Sequence, residues 1–96
     1  MAGNGFIRYM IHVANVPWTV GRHELALYFS QFGYVLDATI AFDKQTGLHQ
    51  NHGHVTFLKK QDMDTVFNRK HSIEGKDLIL SIKKYSDNDF NNDNSV

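Results

Sequence analysis

The fold is decided by residues 43–57, DKQTGLHQNHGHVTF, which combine turn chemistry with the alternation of a strand. Asp43 can accept hydrogen bonds from its own backbone and Gly47 supplies a positive φ, so the first part predicts a turn. After the loop, apolar and polar residues alternate with the period of a strand, which predicts one core face and one open face. The core set is Gly53, Val55 and Phe57, and the open set is Gln50, His52, His54 and Thr56.

Upstream of this stretch, residues 11–16 predict a first strand with His12 on the open face. Pro17 ends the strand because proline cannot donate a ladder hydrogen bond. We expect Trp18 to pack in the core or at its rim, where tryptophan is usually found. The core side chains of this strand are Ile11 and Val13.

A helix and a second strand are predicted between Trp18 and the central stretch. We expect Thr19 to cap the start of the helix and Gly33 to end it. The second strand covers residues 35–42. The apolar face of the helix comprises Leu25, Tyr28, Phe29 and Phe32, and the core side of the strand comprises Val35, Ala38 and Ile40.

Downstream, a second helix is predicted over residues 61–69, followed by a turn at residues 73–76 and a last strand. The core residues of that helix are expected to be Met63, Val66 and Phe67. In the last strand, Leu78, Leu80 and Ile82 alternate with Ile79, Ser81 and Lys83.

The order βαββαβ predicts an α+β fold, a ferredoxin-like sandwich of a four-stranded antiparallel sheet with two helices on one face. We expect residues 11–84 to form the domain and residues 1–10 a short arm. Residues 85–96, rich in Asn and Asp, are expected to be a disordered tail. The arm contains one basic residue, Arg8, and resembles neither a secretory signal nor a strong mitochondrial presequence.

Composition limits the classes of function. The 96 residues, 42% of them hydrophobic, fit one small domain, and no apolar run is long enough to cross a membrane. The absence of cysteine excludes disulfides and thiolate metal sites. The formal net charge is zero, but residues 1–85 carry ten basic and seven acidic side chains, a net charge of +3. That distribution weakly favours a polyanionic partner.

The open face of the sheet is the candidate site, because flat side chains on central strands bind single-stranded RNA by base stacking. The predicted RNA-binding residues are His12, Gln50, Asn51, His52, His54, Lys83 and Lys84, with the lysines contacting phosphates at the edge. Two alternatives remain open. The same face can bind a protein, or the three imidazoles can hold a zinc-like metal ion, although no carboxylate is placed to support the ligands. The prediction favours no metal and no other cofactor.

The chain resembles the RNA-recognition-motif family over about residues 11–84. The resemblance rests on IHVANV at residues 11–16, FGYV at 32–35, the loop containing Asp43, Thr46 and Gly47, the octapeptide at 50–57, and the last strand with Gly75, Leu78 and Leu80. It implies the βαββαβ fold and a surface for single-stranded RNA.

Within that family the chain resembles a subfamily of small mitochondrial members. The residues that carry this are VPWT at 16–19, FSQFG at 29–33 and FDKQTGLH at 42–49. The resemblance implies a mitochondrial location, a role in mRNA stability and maintenance, and a pentatricopeptide-repeat protein as partner. The alternative location is the nucleus or cytoplasm.

The sequence departs from the family at its stacking positions. The octapeptide usually begins with Lys or Arg and then Gly, and it carries aromatic residues third and fifth; here the corresponding residues are Gln50, Asn51, His52 and His54. The second position of the first-strand motif is His12 where the family usually has an aromatic residue. An imidazole has less stacking area than Phe or Tyr, so the expected stacking free energy is at the low end of about 1–3 kcal/mol per base.

No pattern predicts an enzyme or a small-molecule substrate. The serines lack a Ser-His-acid context, and no glycine-rich phosphate loop is present. We expect His23 and His71 to be ordinary exposed residues and His49 to lie in a loop.

Overall fold

The computed structural model describes residues 9–82, which contain two helices and six strands. In chain order these are β1 (Tyr9–Ala14), α1 (Arg22–Ser30), β2 (Val35–Phe42), β3 (His49–Phe57), α2 (Lys60–Phe67), β4 (Ser72–Ile73), β5 (Lys76–Asp77) and β6 (Ile79–Ile82). The predicted βαββαβ order is confirmed, with β6 as its last strand and β4–β5 as an added hairpin. Most of the predicted arm, Lys83, Lys84 and the predicted tail lie outside the described residues. Neither helix within residues 9–82 is long and apolar enough to cross a membrane.

The four longer strands form one antiparallel sheet in the order β2-β3-β1-β6. Both helices pack on one face of this sheet, where their apolar residues meet those of the strands. The buried side chains include Ile11, Val13, Val55 and Phe57 from the strands, Leu25 and Phe29 from α1, and Met63 and Val66 from α2. Each fully buried side chain of this size stabilises the fold by about 1.5–3 kcal/mol.

The predicted start of the first helix is wrong. α1 begins at Arg22 with Gly21 as its N-cap residue, and the Gly21 N–H donates to the Glu24 carboxylate at 3.0 Å. Thr19 lies in the preceding turn, where its hydroxyl donates to the Glu74 carboxylate. The Thr19 hydroxyl therefore links two loops instead of capping α1, because it binds a partner that is distant in sequence.

Gly33 does not itself end α1, which stops at Ser30 with Gln31 as its C-cap. A Cβ at position 33 would overlap the side chain of Asp62 on α2. The glycine is therefore required by the close approach of the second helix, which a sequence pattern cannot reveal.

Three side chains differ from their predicted environment. Phe67, predicted in the core, is 39% exposed, since it is the last residue of α2. Thr56, predicted on the open face, is 2% exposed. Trp18, predicted in the core or at its rim, is 75% exposed.

Two histidines that were predicted to be an exposed residue and a loop residue instead form hydrogen bonds between elements. His71 is 5% exposed rather than an exposed residue. His49 belongs to β3 rather than to a loop, and its Nε2 lies 2.9 Å from the carbonyl oxygen of Val20. Both satisfy polar groups across elements, a role that depends on tertiary contacts.

Candidate nucleic-acid interface

The sheet face opposite the helices carries the predicted histidines in two neighbouring rows. His12 on β1 lies directly opposite His54 on β3, and the row continues to Thr39 on β2 and Ser81 on β6. Side chains of residues paired in this way point to the same face of a sheet. The next row in register consists of His52, Ala14 and Ile79.

The three imidazoles form one cluster. The ring centroid of His12 lies 5.3 Å from that of His52 and 5.3 Å from that of His54. Nε2 of His12 is 3.4 Å from Nδ1 of His52, a contact in which one ring donates to the other. All three side chains are half-buried, so the rings are held against the sheet while part of each surface faces solvent.

Strand alternation explains why the cluster forms. On β3, Gly53 and Val55 point into the core, which turns His52 and His54 outward. The antiparallel register of the two central strands then brings His12 between them. The placement predicted from the sequence is correct, because side chains alternate between the two faces of a strand and the apolar set occupies the face covered by the helices.

The described part of the chain does not support the metal alternative. Among residues 9–82 no group of three or more His, Cys, Asp or Glu side chains is arranged to hold a metal ion. The sheet register, which was set by backbone pairing, accounts for the proximity of the imidazoles.

Gln50 and Asn51 lie where β3 enters the sheet, and both are exposed. Asn51 has a positive φ of 65°. Its backbone carbonyl accepts from the Val16 N–H at 2.9 Å and its side-chain amide donates to the Val16 carbonyl at 2.9 Å. Asn51 therefore holds the β1–α1 loop against β3, and Gln50 precedes it on the same strand.

The β2–β3 loop at the same end of the sheet is preorganised by Asp43. The backbone N–H groups of Thr46 and Gln45 donate to the carboxylate at 2.9 and 2.8 Å. Those donors lower the pKa of Asp43 below its ordinary value, the Thr46 N–H having the largest effect. The loop predicted from turn chemistry is thus confirmed, including the positive φ of 76° at Gly47.

Comparison with known proteins identifies the family. The family model described as RNA recognition motif matches residues 11–79, which is most of the chain. Of the elements described above, the match leaves out only the first two residues of β1 and the last three residues of β6. The chain belongs to the RNA recognition motif family. Members of this family are binding modules rather than enzymes, in agreement with the sequence.

Relatives with similar sequences include the mitochondrial SRA stem-loop-interacting RNA-binding proteins of two mammals. The Mus musculus protein is 36% identical over 66 residues, covering 69% of this chain and 59% of that protein. The Bos taurus protein is 35% identical over 72 residues, covering 74% of this chain and 65% of that protein. The chain thus spans less than two thirds of the length of either relative. The narrower resemblance in the sequence is to these proteins.

Solved structures confirm the fold. The second RNA recognition motif of yeast poly(U)-binding protein superposes with a TM-score of 0.72 at 20% identity, covering 82% of this chain and 98% of that chain. At that level of identity the likeness concerns the architecture, a four-stranded sheet with two helices on one face.

Proposed function

We propose that this RNA recognition motif binds single-stranded RNA on its open sheet face. The observation that carries the proposal is the cluster of His12, His52 and His54 on the two central strands, with ring centroids 5.3 Å apart. Imidazole faces can stack on bases, and a protonated ring can also donate to phosphate. Gln50 and Asn51 flank the cluster, and Lys83 and Lys84 follow β6 in sequence as phosphate contacts.

The proposal predicts tighter binding in mild acid. Histidine is the side chain that gains positive charge on mild acidification, so lowering the pH from about 7.5 to about 6 is expected to favour an anionic ligand on this face. The test is an amide NMR titration with a mixed single-stranded RNA pool at both pH values in moderate salt. Shifts centred on His12, His52 and His54, stronger at the lower pH, are expected; a silent sheet at both pH values contradicts the proposal.

A matched variant separates the site from general charge. The double substitution His52→Ala and His54→Ala weakens RNA binding about fivefold or more, corresponding to about 1 kcal/mol or more of lost stacking. The control is His23→Ala, since His23 is exposed on α1 away from the sheet face. Equal losses in both proteins would contradict a specific histidine role.

We also propose that the chain acts in maintaining mitochondrial mRNA together with a pentatricopeptide-repeat protein. The support is the resemblance in sequence to the two mammalian relatives, which are mitochondrial RNA-binding proteins. Uptake of the labelled full chain by isolated mitochondria, with added uncoupler as the control, tests the location. Chain that stays outside under both conditions favours the nucleus or cytoplasm.

The second candidate function is protein binding with little intrinsic RNA affinity. It is favoured by apolar side chains exposed beside α1 and β2, away from the histidine face: Leu27 is 60% exposed, Tyr34 65% and Leu36 43%. Leu27→Asp is expected to abolish co-sedimentation with the pentatricopeptide-repeat protein while leaving the RNA titration unchanged. No co-sedimentation of the unmodified chain would contradict this function.

A further inference from the structure

We propose that Trp18 is a base-stacking site that carries the RNA strand beyond the histidine face and onto the β1–α1 loop. The inference rests on the proposed RNA-binding function and adds a position that the sheet rows do not contain. Its ligand is a nucleobase of the same single strand.

The indole of Trp18 is the most exposed of the large hydrophobic side chains in the described residues, at 75%. Burying an indole against a ligand is strongly favourable, so this exposed side chain is a candidate contact. The exposure of Trp18 does not result from a loosely packed loop. Its neighbours in sequence, Val16 and Val20, are 0% and 2% exposed and belong to the core.

The backbone around Trp18 is fixed at both ends. The Val20 N–H donates to the Pro17 carbonyl at 3.0 Å, which closes a turn around residues 18 and 19. The Val16 N–H donates to the Asn51 carbonyl at 2.9 Å. The indole therefore stands at the tip of a pinned turn, so little backbone entropy is lost when a ligand stacks on it.

The same hydrogen bonds connect the turn to the histidine face. Asn51, which holds the turn, directly precedes His52 on β3. Ala14, which pairs with His52, is followed after one residue by Val16 and the turn. A strand that leaves the sheet at its His52 end can therefore continue onto the turn that carries Trp18.

Two exposed cations at this end of the sheet can contact the phosphates of a strand. Two carboxylates nearby keep their charge, but their oxygens are already bound inside the protein: Glu74 accepts the Thr19 hydroxyl, and Asp43 accepts two backbone N–H groups of its own loop. The exposed cations Arg22 and Lys44 take no part in the single ion pair found within residues 9–82, Lys60–Asp64. Cations without carboxylate partners beside an exposed aromatic ring suit a base and its phosphate.

The second loop at this end adds apolar surface. His49 on β3 links the two loops, since its ring contacts Phe42 at 5.6 Å between centroids and its Nε2 lies 2.9 Å from the Val20 carbonyl oxygen. Phe42 is 55% exposed and Leu48 is 65% exposed. Trp18 thus belongs to an exposed apolar rim rather than standing alone.

The chain contains one tryptophan, so its intrinsic fluorescence reports this site directly. A single-stranded RNA of random sequence and about eight nucleotides, long enough to pass the sheet, is titrated into the full chain. We expect the tryptophan emission to be quenched, with the same Kd as the amide shifts of His52 and His54. An RNA of about three nucleotides, which fills the sheet alone, is expected to shift those amides with little quenching.

Substitutions give an independent readout. Trp18→Ala is expected to raise the Kd for the longer RNA about fivefold to tenfold, the lower part of the range for one lost base–aromatic stack, and to leave the Kd for the shorter RNA unchanged. Trp18→Phe retains most of the affinity because it keeps an aromatic face. Leu58→Ala is the control for losing an exposed apolar side chain, since Leu58 is 44% exposed and follows β3 at the opposite end of the sheet.

The outcomes separate this inference from the proposed function. Amide shifts on the sheet without quenching, and with the same Kd in Trp18→Ala, overturn the Trp18 site while leaving the histidine face intact. Quenching with a silent sheet overturns the histidine face and supports the Trp18 contact. If RNA causes neither amide shifts nor quenching, and the pentatricopeptide-repeat protein quenches the emission, both the histidine face and the Trp18 site are overturned. The indole then belongs to a protein interface.

Discussion

At position 71 an imidazole is buried and both its nitrogens are used. Nδ1 of His71 lies 2.9 Å from the Tyr28 hydroxyl, and Nε2 lies 2.8 Å from the Val66 carbonyl oxygen. Because a carbonyl can only accept, Nε2 donates to Val66, and Nδ1 forms the hydrogen bond with the tyrosine hydroxyl. The ring also packs against Phe29 and Phe32, with centroids 5.4 and 4.9 Å away. His71 therefore joins α1 to the end of α2.

Substitution of His71 tests this account. His71→Ala is expected to lower the free energy of unfolding by about 3 kcal/mol, since it opens a cavity and leaves buried polar groups without partners. Tyr28→Phe removes one hydrogen bond and is expected to cost about 1–2 kcal/mol. Urea unfolding measures both, with His23→Ala as an exposed control that changes stability by less than about 0.5 kcal/mol. Equal stability of His71→Ala and the control would contradict a structural role.

The glycine between His52 and His54 on β3 is required by the neighbouring strand. A Cβ at position 53 would overlap the backbone carbonyl of Thr39 on β2, which cannot rotate away as a side chain can. Gly53→Ala is expected to lower the free energy of unfolding by about 1–3 kcal/mol and to shift the amides of β2. The measurement is urea unfolding with amide NMR. Gly21→Ala is the control, because its nearest atom, 3.0 Å away, is a Glu24 side-chain oxygen that can move.

At the scale of elements, the β2–β3 loop depends on one carboxylate. The lowered pKa of Asp43 means that its charged form is favoured in the folded loop, chiefly by the Thr46 N–H. That contribution is present above the ordinary aspartate pKa of about 3.9 and is lost as the pH falls through the lowered folded-state value. We expect the amides of Gln45 and Thr46 to exchange faster with solvent once the pH falls below the lowered pKa of Asp43, while the sheet amides stay protected.

The substitution Asp43→Ala should produce the same loop behaviour at neutral pH. Amide hydrogen exchange followed by NMR checks both conditions, and the sheet amides serve as the internal control. Unchanged exchange at Gln45 and Thr46 in the variant would show that other contacts hold the loop.

For the whole molecule, the even charge balance limits the electrostatic part of RNA binding. The chain has zero formal net charge, and its basic residues exceed its acidic ones by three only within residues 1–85. About three phosphate contacts predict a slope of about −2 for log K against log salt with single-stranded RNA. Fluorescence anisotropy of labelled RNA over a range of salt concentrations measures the slope. A slope steeper than about −4 would indicate a more basic surface than the proposed one.

Strand and helix periodicity predicted the architecture and the histidine face correctly. The placement of Ile11, Val13, Val55 and Phe57 in the core and of His52 and His54 outside it follows from period two alone, because the sheet is covered on one face. The family resemblance agrees with the family model over residues 11–79. The cap of α1 and the burial of His71 were missed, because Thr19 and His71 take partners 55 and 43 residues away.

The sequence by itself determined the order of the elements, the face on which each alternating residue lies and the turn chemistry of the β2–β3 loop. These properties are local, since they depend on spacing and on the backbone preferences of neighbouring residues. Only the tertiary structure decided that the three imidazoles touch, that Asn51 pins the loop carrying Trp18 and that the indole is exposed. Those properties depend on which distant segments compete for the same hydrogen bonds and the same core volume, and local spacing contains no information about that competition.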